Sequence, residues 1–485
     1  MFGAQPPFGE LSNRRLAEVL GSALVACPRG TSVKRAAELM AEADTGSIVV
    51  LGANGTACGI LTDSDLRRRV VAAGRGPETP VENVMSSPLL SVPPSMLFFE
   101  ALGLMLERHI HHLVVADDGR ALGVVSESDL VSALGVGPLF LVRRIDGATS
   151  VEQLVDARAA LPRMVGALLT AGVGAYDLAR IIAETTDRLV RRAVGLAEAE
   201  LGQPPSPYCW LALGSEGRRE QTLHTDQDHA LVYADPDPEQ TEPARVYFLS
   251  LAERVVDALT RCGLPHCPGE VMASNPRWNQ PLAAWRAHFT NWIERPASEA
   301  LLNASIFFDL RPIAGEDSFG TALQDQIARQ APPARRFQLL LADQARHNRP
   351  PLGLFRRLVV QRSGDHRGQL DLKHGGLSPV VDLARLYALR HGLRETNTIE
   401  RLRTLAKLRV LPAETPDELV AAYQFILLLR IRGHVAQLAK GRETDNYVAP
   451  DEMERTDRTL LKEHLAVIAT AQRALESEFS TYLLG

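Results

Sequence analysis

The sequence predicts a multidomain chain of α/β plus all-α architecture, and three observations predict it. The segment GILTDSDL at 59–66 returns one repeat later as GVVSESDL at 123–130. An apolar segment, YCWLAL, runs into a Gly-Ser turn and then a second apolar segment that carries Asp226 and Asp228 two residues apart. From 333 onward apolar residues recur at three- and four-residue spacings, the period of packed helices, with a break at RSGDHRGQLDLKHGG. A length of 485 residues suggests about three domains.

Residues 1–147 hold the repeats. Upstream of each motif lies a helix-like stretch, VKRAAELMAEA or FEALGLMLERH, then a short apolar strand, SIVVL or HLVVA, then Asn54-Gly55 or Asp118-Gly119. Helix, strand, glycine turn, strand and helix make a compact α/β unit. These residues resemble a tandem CBS pair, a Bateman regulatory module. The resemblance implies a cleft for an adenine nucleotide, with Thr62 and Asp65 in the first repeat and Ser126 and Asp129 in the second contacting ribose or phosphate. It also implies a homodimer formed through the pair. The alternative for all four residues is N-capping, which favours the same residue types.

Residues 148–202 read as a helical connector, ended by Gln203-Pro204-Pro205-Ser206-Pro207. Residues 203–330 read as a mixed-sheet α/β domain. On a strand, Asp226 and Asp228 point to one face and Gln227 to the other. Two hard oxygen ligands on one face suit Mg²⁺ or Mn²⁺. Gly214 lets the chain turn after the first strand and brings it, with the Ser215 hydroxyl, towards a triphosphate. The bland alternative is a surface turn, where Asp and Gly-Ser are common.

Gly214, Ser215, Gly217, Arg218, Glu220, Thr225, Asp226 and Asp228 together resemble the signature of the DNA polymerase beta type nucleotidyltransferase superfamily. The pattern is similar to the bacterial uridylyltransferases that modify the PII signalling protein, and closer still to the nucleotidyltransferases that carry CBS domains. Gln227 and His229 depart from the superfamily pattern, which has apolar residues there. The resemblance implies that Asp226, Asp228 and a third acid, Asp309, hold two metal ions, and that Asp309 accepts the attacking hydroxyl's proton. It assigns Gly214, Ser215, Arg218 and Thr225 to the nucleotide. Asp309 falls in the apolar segment LLNASIFFDLRPI, expected as a strand, where a metal or Arg311 must compensate its charge.

Trp278, Trp285 and Trp292 recur every seven residues and predict one packed helix face. Residues 331–485 resemble the helical substrate-binding domain of the CBS-linked family, and LDLKHGG is similar to a Lys and Gly-Gly segment of the PII uridylyltransferases. Lys373 would reach a triphosphate from there, or stand as an exposed loop lysine.

The expected function is transfer of a nucleoside monophosphate from an NTP to a hydroxyl acceptor, which the resemblance suggests is a signalling protein, under control of an adenine nucleotide at the CBS pair. A non-catalytic nucleotide sensor and an antitoxin-like or RNA-modifying transferase are the alternatives. A net charge of −5 gives no basic excess to suggest nucleic acid as the main partner. Five cysteines in so long a chain argue against a disulfide framework. Cys262, His266 and Cys267 cluster without a fourth ligand and are expected to be structural. The start MFGAQPPFGE has no leader pattern, and no run approaches the roughly 18 apolar residues that span a bilayer, so a cytoplasmic location is expected.

Overall fold

The computed structural model describes residues 15–480 apart from 19, 21–23, 98–99, 102–103, 106–107, 109, 127–128, 130–137, 297–305, 354–356 and 413. It divides into two compact units, Met1–Gly137 and Pro138–Gly485.

In the first unit β1 (Ala26–Pro28), α1 (Val33–Glu42), β2 (Ser47–Leu51) and β3 (Ala57–Thr62) form one repeat, and β4 (Ser91–Val92), β5 (His112–Asp117) and β6 (Arg120–Ser126) lie in the other. β1 runs parallel to β2 and β2 antiparallel to β3. β4, β5 and β6 repeat that pattern. Gly55 and Gly119 take φ of +73° and +79° in the two hairpin turns, a region open to glycine at no steric cost. Each repeat has its own buried cluster, and Val49 of one and Val114 of the other pack into a third that the two share.

The second unit has one continuous core from Leu141 to Phe479. α2 (Pro138–Asp146), α3 (Val151–Arg158), α4 (Leu161–Thr170) and α5 (Ala175–Leu201) contribute to it, so the helices of 148–202 are packed elements. After them come β7 (Tyr208–Ala212), the single turn α6 (Gly214–Gly217), β8 (His229–Tyr233), α7 (Thr241–Arg261), β9 (Asn279–Pro281), α8 (Leu282–Glu294), β10 (Arg311–Gly315) and α9 (Asp317–Gln330). The sheet order is β10-β7-β8-β9. β7 is antiparallel to both neighbours and β8 is parallel to β9, which makes the sheet mixed. All five residues of β7 and of β8 are buried, as two-sided burial requires of such apolar runs.

The helical remainder is α10 (Arg335–Ala345), the short pair β11 (Leu370–Asp371), α11 (Ser378–Arg390), α12 (Thr398–Lys407), α13 (Thr415–Ala439), β12 (Tyr447–Val448) and α14 (Arg455–Ser480). α13 corrects one expectation, because it is long and apolar enough to cross a membrane by length and composition. Half of its most apolar window is buried in this unit, and it packs against α4, α5, α12 and α14 as a central helix.

Two further expectations change. Residues 301–305 of LLNASIFFDLRPI lie outside the described residues; in the rest a strand begins at Arg311, and Asp309 lies in the turn before it. Trp278 stands in a turn ahead of α8, yet its ring still joins Trp285 and Trp292 around Phe307.

Candidate active site

β7 ends at Ala212, and Gly214 turns the chain with φ +53°. A Cβ at Gly214 would stand 3.1 Å from Asp228 Oδ2, so a glycine here is what lets the turn and the carboxylate approach. At Gly217 a Cβ would fall 1.6 Å from the Asp309 carbonyl oxygen, a clash that no side-chain movement relieves. The Leu213 N–H donates to the Asp228 carbonyl at 2.9 Å, which joins the turn to the acidic segment. The Ser215 hydroxyl is half-buried and has no hydrogen-bond partner among the described residues.

Asp226 and Asp228 lie immediately before β8 on either side of Gln227, which forms an isolated bridge with His266. The alternation read from the sequence holds, with both acids half-buried and Gln227 and His229 buried between and behind them. Those two polar residues have a structural task. Gln227 Nε2 donates to the Leu264 carbonyl at 2.8 Å and to Thr260 Oγ1 at 2.9 Å. Ala273 N–H donates to His229 Nδ1 at 3.0 Å, which leaves Nε2 to donate to Gln227 Oε1 at 3.1 Å. Burial pushes His229 down to about 3, so the ring is neutral.

Asp228 is pushed up to about 6 by burial and then by the charge of Asp226. Its Oδ1 is buried with no hydrogen-bond partner among the described residues. Sequence reasoning missed two neighbours. Glu216, held inside the turn, is raised well above the carboxylate range by burial and by Asp228. Cys267 brings its sulfur to the acid pair, and one ligand atom from each of Asp226, Asp228 and Cys267 lies within 4.8 Å of the others. The sequence placed Cys267 with Cys262 and His266; the bonds from Gln227 and His229 take it to the acids instead. An orphaned carboxylate oxygen among like charges fits a divalent cation.

Lys373 opens the turn Lys373–Leu377, where its charge and that of Arg430 act on the acids: Lys373 favours the ionised form of Asp228, and Asp226 favours the charged form of Arg430. Its ammonium has no hydrogen bond or ion pair among the described residues. Arg430 is buried, donates from Nε to Asn446 Oδ1 at 2.6 Å, and is drawn down to about 10 by burial.

Three assignments are corrected. Asp309 is fully buried and away from the metal-type group. Its Oδ2 accepts from Arg218 Nη1 at 2.7 Å and from Arg385 Nη2 at 2.7 Å, and Arg401 Nη1 stands 2.7 Å from Oδ1. Burial alone would raise this carboxyl; Arg385, Arg401 and Arg218 together hold it well below the usual range. A carboxylate so surrounded has no charge to offer a metal. Arg311 is not its partner either, since both Arg311 Nη atoms donate at 2.8 Å to Asp187. Arg218 is likewise unavailable to a phosphate: besides Asp309 it donates from Nε to Glu220 at 2.7 Å. Glu220 in turn accepts from Tyr423 Oη at 2.8 Å and Thr398 Oγ1 at 3.1 Å, which ties the turn to the helical part. Thr225 is buried with its hydroxyl on the Asp226 carbonyl at 3.3 Å, so it braces the acidic segment.

In the first unit, Thr62 and Asp65 form a capping box, with Thr62 Oγ1 donating to Asp65 Oδ2 at 2.8 Å. Arg69 Nε stands 3.2 Å from Asp65 Oδ1. Ser126 and Asp129 repeat the pattern, with the hydroxyl donating at 2.6 Å. A cavity of about 310 Å³ adjoins the first box and is lined by Met40, Gly46, Asp63 and Leu66 among others.

The chain matches three models of known families. The family described as "Putative nucleotidyltransferase DUF294" matches 159–299, "Putative nucleotidyltransferase substrate binding domain" matches 335–479, and the CBS domain matches 16–72 and 81–136. The CBS domain-containing protein YhcV of Bacillus subtilis is 37% identical over 99 residues, 20% of this chain and 70% of that protein. The bifunctional glutamine synthetase adenylyltransferase/adenylyl-removing enzyme of Mycobacterium tuberculosis is 27% identical over 287 residues, 56% of this chain and 26% of the enzyme. A solved structure of a conserved protein from Pyrococcus horikoshii is 32% identical, with a TM-score of 0.25, over 25% of this chain and 93% of that one. The chain spans between half and two thirds of several other curated relatives it matches. With the repeats, the glycine turn with its acid pair and the helical remainder each matched in order, the chain belongs to the CBS-domain-containing DUF294 family of nucleotidyltransferase-like proteins.

Proposed function

We propose that the second unit transfers a nucleoside monophosphate from an NTP to a hydroxyl acceptor. The observation that carries this reading is the Asp226–Asp228 pair, with a buried oxygen and the Lys373 ammonium nearby, neither of which has a hydrogen-bond partner among the described residues. Asp226 and Asp228 would hold Mg²⁺ or Mn²⁺, which when bound would supply charge neutralisation for the triphosphate and acidify the attacking hydroxyl. Gly214 and Ser215 carry the donor side, where backbone and hydroxyl approach the phosphates without a Cβ in the way. Lys373 places a mobile point charge on the leaving pyrophosphate. The acceptor oxygen bonds to the α-phosphorus, the bond to the β-phosphate bridging oxygen breaks, pyrophosphate leaves with that electron pair, and the hydroxyl proton passes to solvent. Arg218, Asp309, Arg385 and Arg401 hold the turn rigid from behind.

The reading extends to a uridylyl- or adenylyl-type transfer onto a protein side chain, and to control by an adenine nucleotide at Thr62, Asp65, Ser126 and Asp129, in a cytoplasmic homodimer joined through the CBS pair. The deciding experiment incubates the full chain with each labelled NTP, a divalent metal and cell lysate, then identifies the labelled product. Labelled protein supports this reading, labelled RNA moves the acceptor class, and no product with any NTP overturns it. Regulation is tested by NTP affinity with and without AMP. Allosteric coupling would shift it about 5- to 150-fold, and Asp65→Ala would remove the response. One observation favours a second reading, a nucleotide sensor without turnover: the displacement of Asp309 leaves two carboxylates where three were expected. That reading requires NTP binding that depends on Asp226 and Asp228 with no pyrophosphate released.

A further inference from the structure

The segment Leu264–Ala273 returns from the end of α7 and is fastened to the acidic strand along its length. Gln227 N–H donates to the Pro265 carbonyl at 3.0 Å and Gln227 Nε2 to the Leu264 carbonyl at 2.8 Å. Further on, His229 N–H donates to the Val271 carbonyl at 3.1 Å and Ala273 N–H to the His229 ring at 3.0 Å. Cys267 lies between these fixed points, buried, with its sulfur at the Asp226 and Asp228 carboxylates. A ligand held by such bonds needs little ordering when an ion arrives.

Two independent observations mark this as a place for a cation. Asp228 Oδ1 is buried without a hydrogen-bond partner among the described residues. Glu216, only 3% exposed, has no ion pair or hydrogen bond to its carboxylate among the described residues and feels the charges of both Asp228 and Asp226. The positive groups that act on these acids are Lys373, Arg430 and Arg218, with Arg311, itself paired with Asp187, acting on Glu216. Arg218 is engaged by Glu220 and Asp309, and Arg430 by Asn446. Lys373 and Arg430 are therefore the cations left to the Asp226–Asp228 pair, and neither forms an ion pair among the described residues.

We propose that Cys267 is the third protein ligand of the metal site, giving it two carboxylate oxygens and one sulfur, and that it makes the site prefer Co²⁺ or Zn²⁺ to Mg²⁺. This rests on the metal-binding reading of Asp226 and Asp228 and adds the identity of the third donor. Mg²⁺ takes oxygen ligands in near-ideal octahedral geometry and gains little from sulfur, whereas Co²⁺ and Zn²⁺ bind thiolate strongly. Coordination breaks the Cys267 S–H bond and forms a metal–sulfur bond, and the proton goes to solvent, so one proton is released for each Co²⁺ or Zn²⁺ that enters. With Mg²⁺ the thiol keeps its proton and donates it towards Asp228.

The test is a Co²⁺ titration of the full chain followed by absorbance, in which a bound thiolate gives a near-ultraviolet sulfur-to-cobalt charge-transfer band. The band is expected in the wild type and absent in Cys267→Ser and Asp228→Asn. Cys267→Ser should weaken Co²⁺ and Zn²⁺ binding about tenfold or more while moving Mg²⁺ binding less than about twofold. Co²⁺ binding that depends on Asp228 but shows no band overturns the role of Cys267 and leaves the acid pair as a metal site. A band that survives in Cys267→Ser overturns it as well. Absence of any divalent binding sensitive to Asp228→Asn overturns the proposed function itself. Should Cys267→Ser fail to fold, wild-type proton release decides: about one proton more per Co²⁺ than per Mg²⁺ supports the proposal, and equal release overturns it.

Discussion

Two acidic centres lie within the same unit, and their surroundings differ in kind. Asp309 is fully buried and faces three guanidinium groups, from Arg218, Arg385 and Arg401. Asp226 and Asp228 are half-buried, and beside them stand another acid and a thiol, with one oxygen left without a partner. The comparison teaches that the role of a buried carboxylate is read from its counter-charge. Where protein cations surround it, the carboxylate serves the fold; where they are missing, the charge is kept for something that arrives from solution.

The sharpest way to break this comparison is to neutralise each centre. Asp226→Asn or Asp228→Asn should cut metal-dependent turnover about 1,000-fold or more, a barrier increase of about 4 kcal/mol. The denaturant midpoint should stay in place or rise, because like charges have been thinned. Asp309→Asn should do the reverse and cost about 3–5 kcal/mol in denaturant unfolding, since it removes the charge that three buried guanidinium groups share and leaves Arg401 without an acidic partner among the described residues. An Asp309→Asn protein of normal stability that no longer binds metal would invert the assignment of the two centres.

A smaller effect is expected at Lys373. Lys373→Ala should weaken NTP binding by about 1.5–3 kcal/mol, the range for a hydrogen bond to a charged group, without altering stability. Calorimetry with a non-hydrolysable NTP reads this directly, and unchanged affinity would return Lys373 to an exposed loop lysine.

Acidity should separate the centres over the next interval. Metal binding needs ionised Asp228, whose value stands at about 6, so affinity should fall about tenfold per pH unit below that point. Because its folded value lies above the unfolded one, Asp228 protonates first in the folded state, and the metal-free fold gains stability from this group as pH falls from above 6 towards 4. Asp309 has the opposite sign. Its folded value lies below the unfolded one, so its contribution is present above the ordinary carboxylate range and is lost only as pH falls through its own depressed value. Metal titrations and thermal melts between pH 7 and pH 4 should therefore diverge. A parallel loss of both would mean that one titration governs the two centres.

The smallest expected effect is in the first unit, where Asp65→Ala removes a capping box. Loss of the cap should cost about 1 kcal/mol and leave the metal site untouched. If Asp65 also meets a ligand, the heat of AMP binding to the full chain should shrink in the same variant, and equal heats would leave Asp65 as a cap alone.

Much of the fold and half of the site were legible in the residues. The duplication, the glycine hairpins and the alternation through Asp226, Gln227 and Asp228 follow from covalent geometry, because a two-residue period decides which side chains share a face wherever the chain is extended. Gly214 before the acids was equally plain, since a positive φ favours the residue without a Cβ. Neither that geometry nor the family resemblance places Asp309, Arg218 and Cys267. The resemblance makes Asp309 a metal ligand, in an apolar segment where a metal or Arg311 must compensate its charge, but Arg385 and Arg401, far along the chain, neutralise it. Arg218 was read towards the nucleotide, while Glu220 and Asp309 turn it away. Cys267 was grouped with the cysteine and histidine beside it in sequence, while Gln227 and His229 carry it to the acid pair. Local sequence fixes conformation and which residue types are offered to a face. Which opposite charge or ligand atom meets them is set by chain segments brought together from a distance, and the energy of a buried ion depends on that meeting.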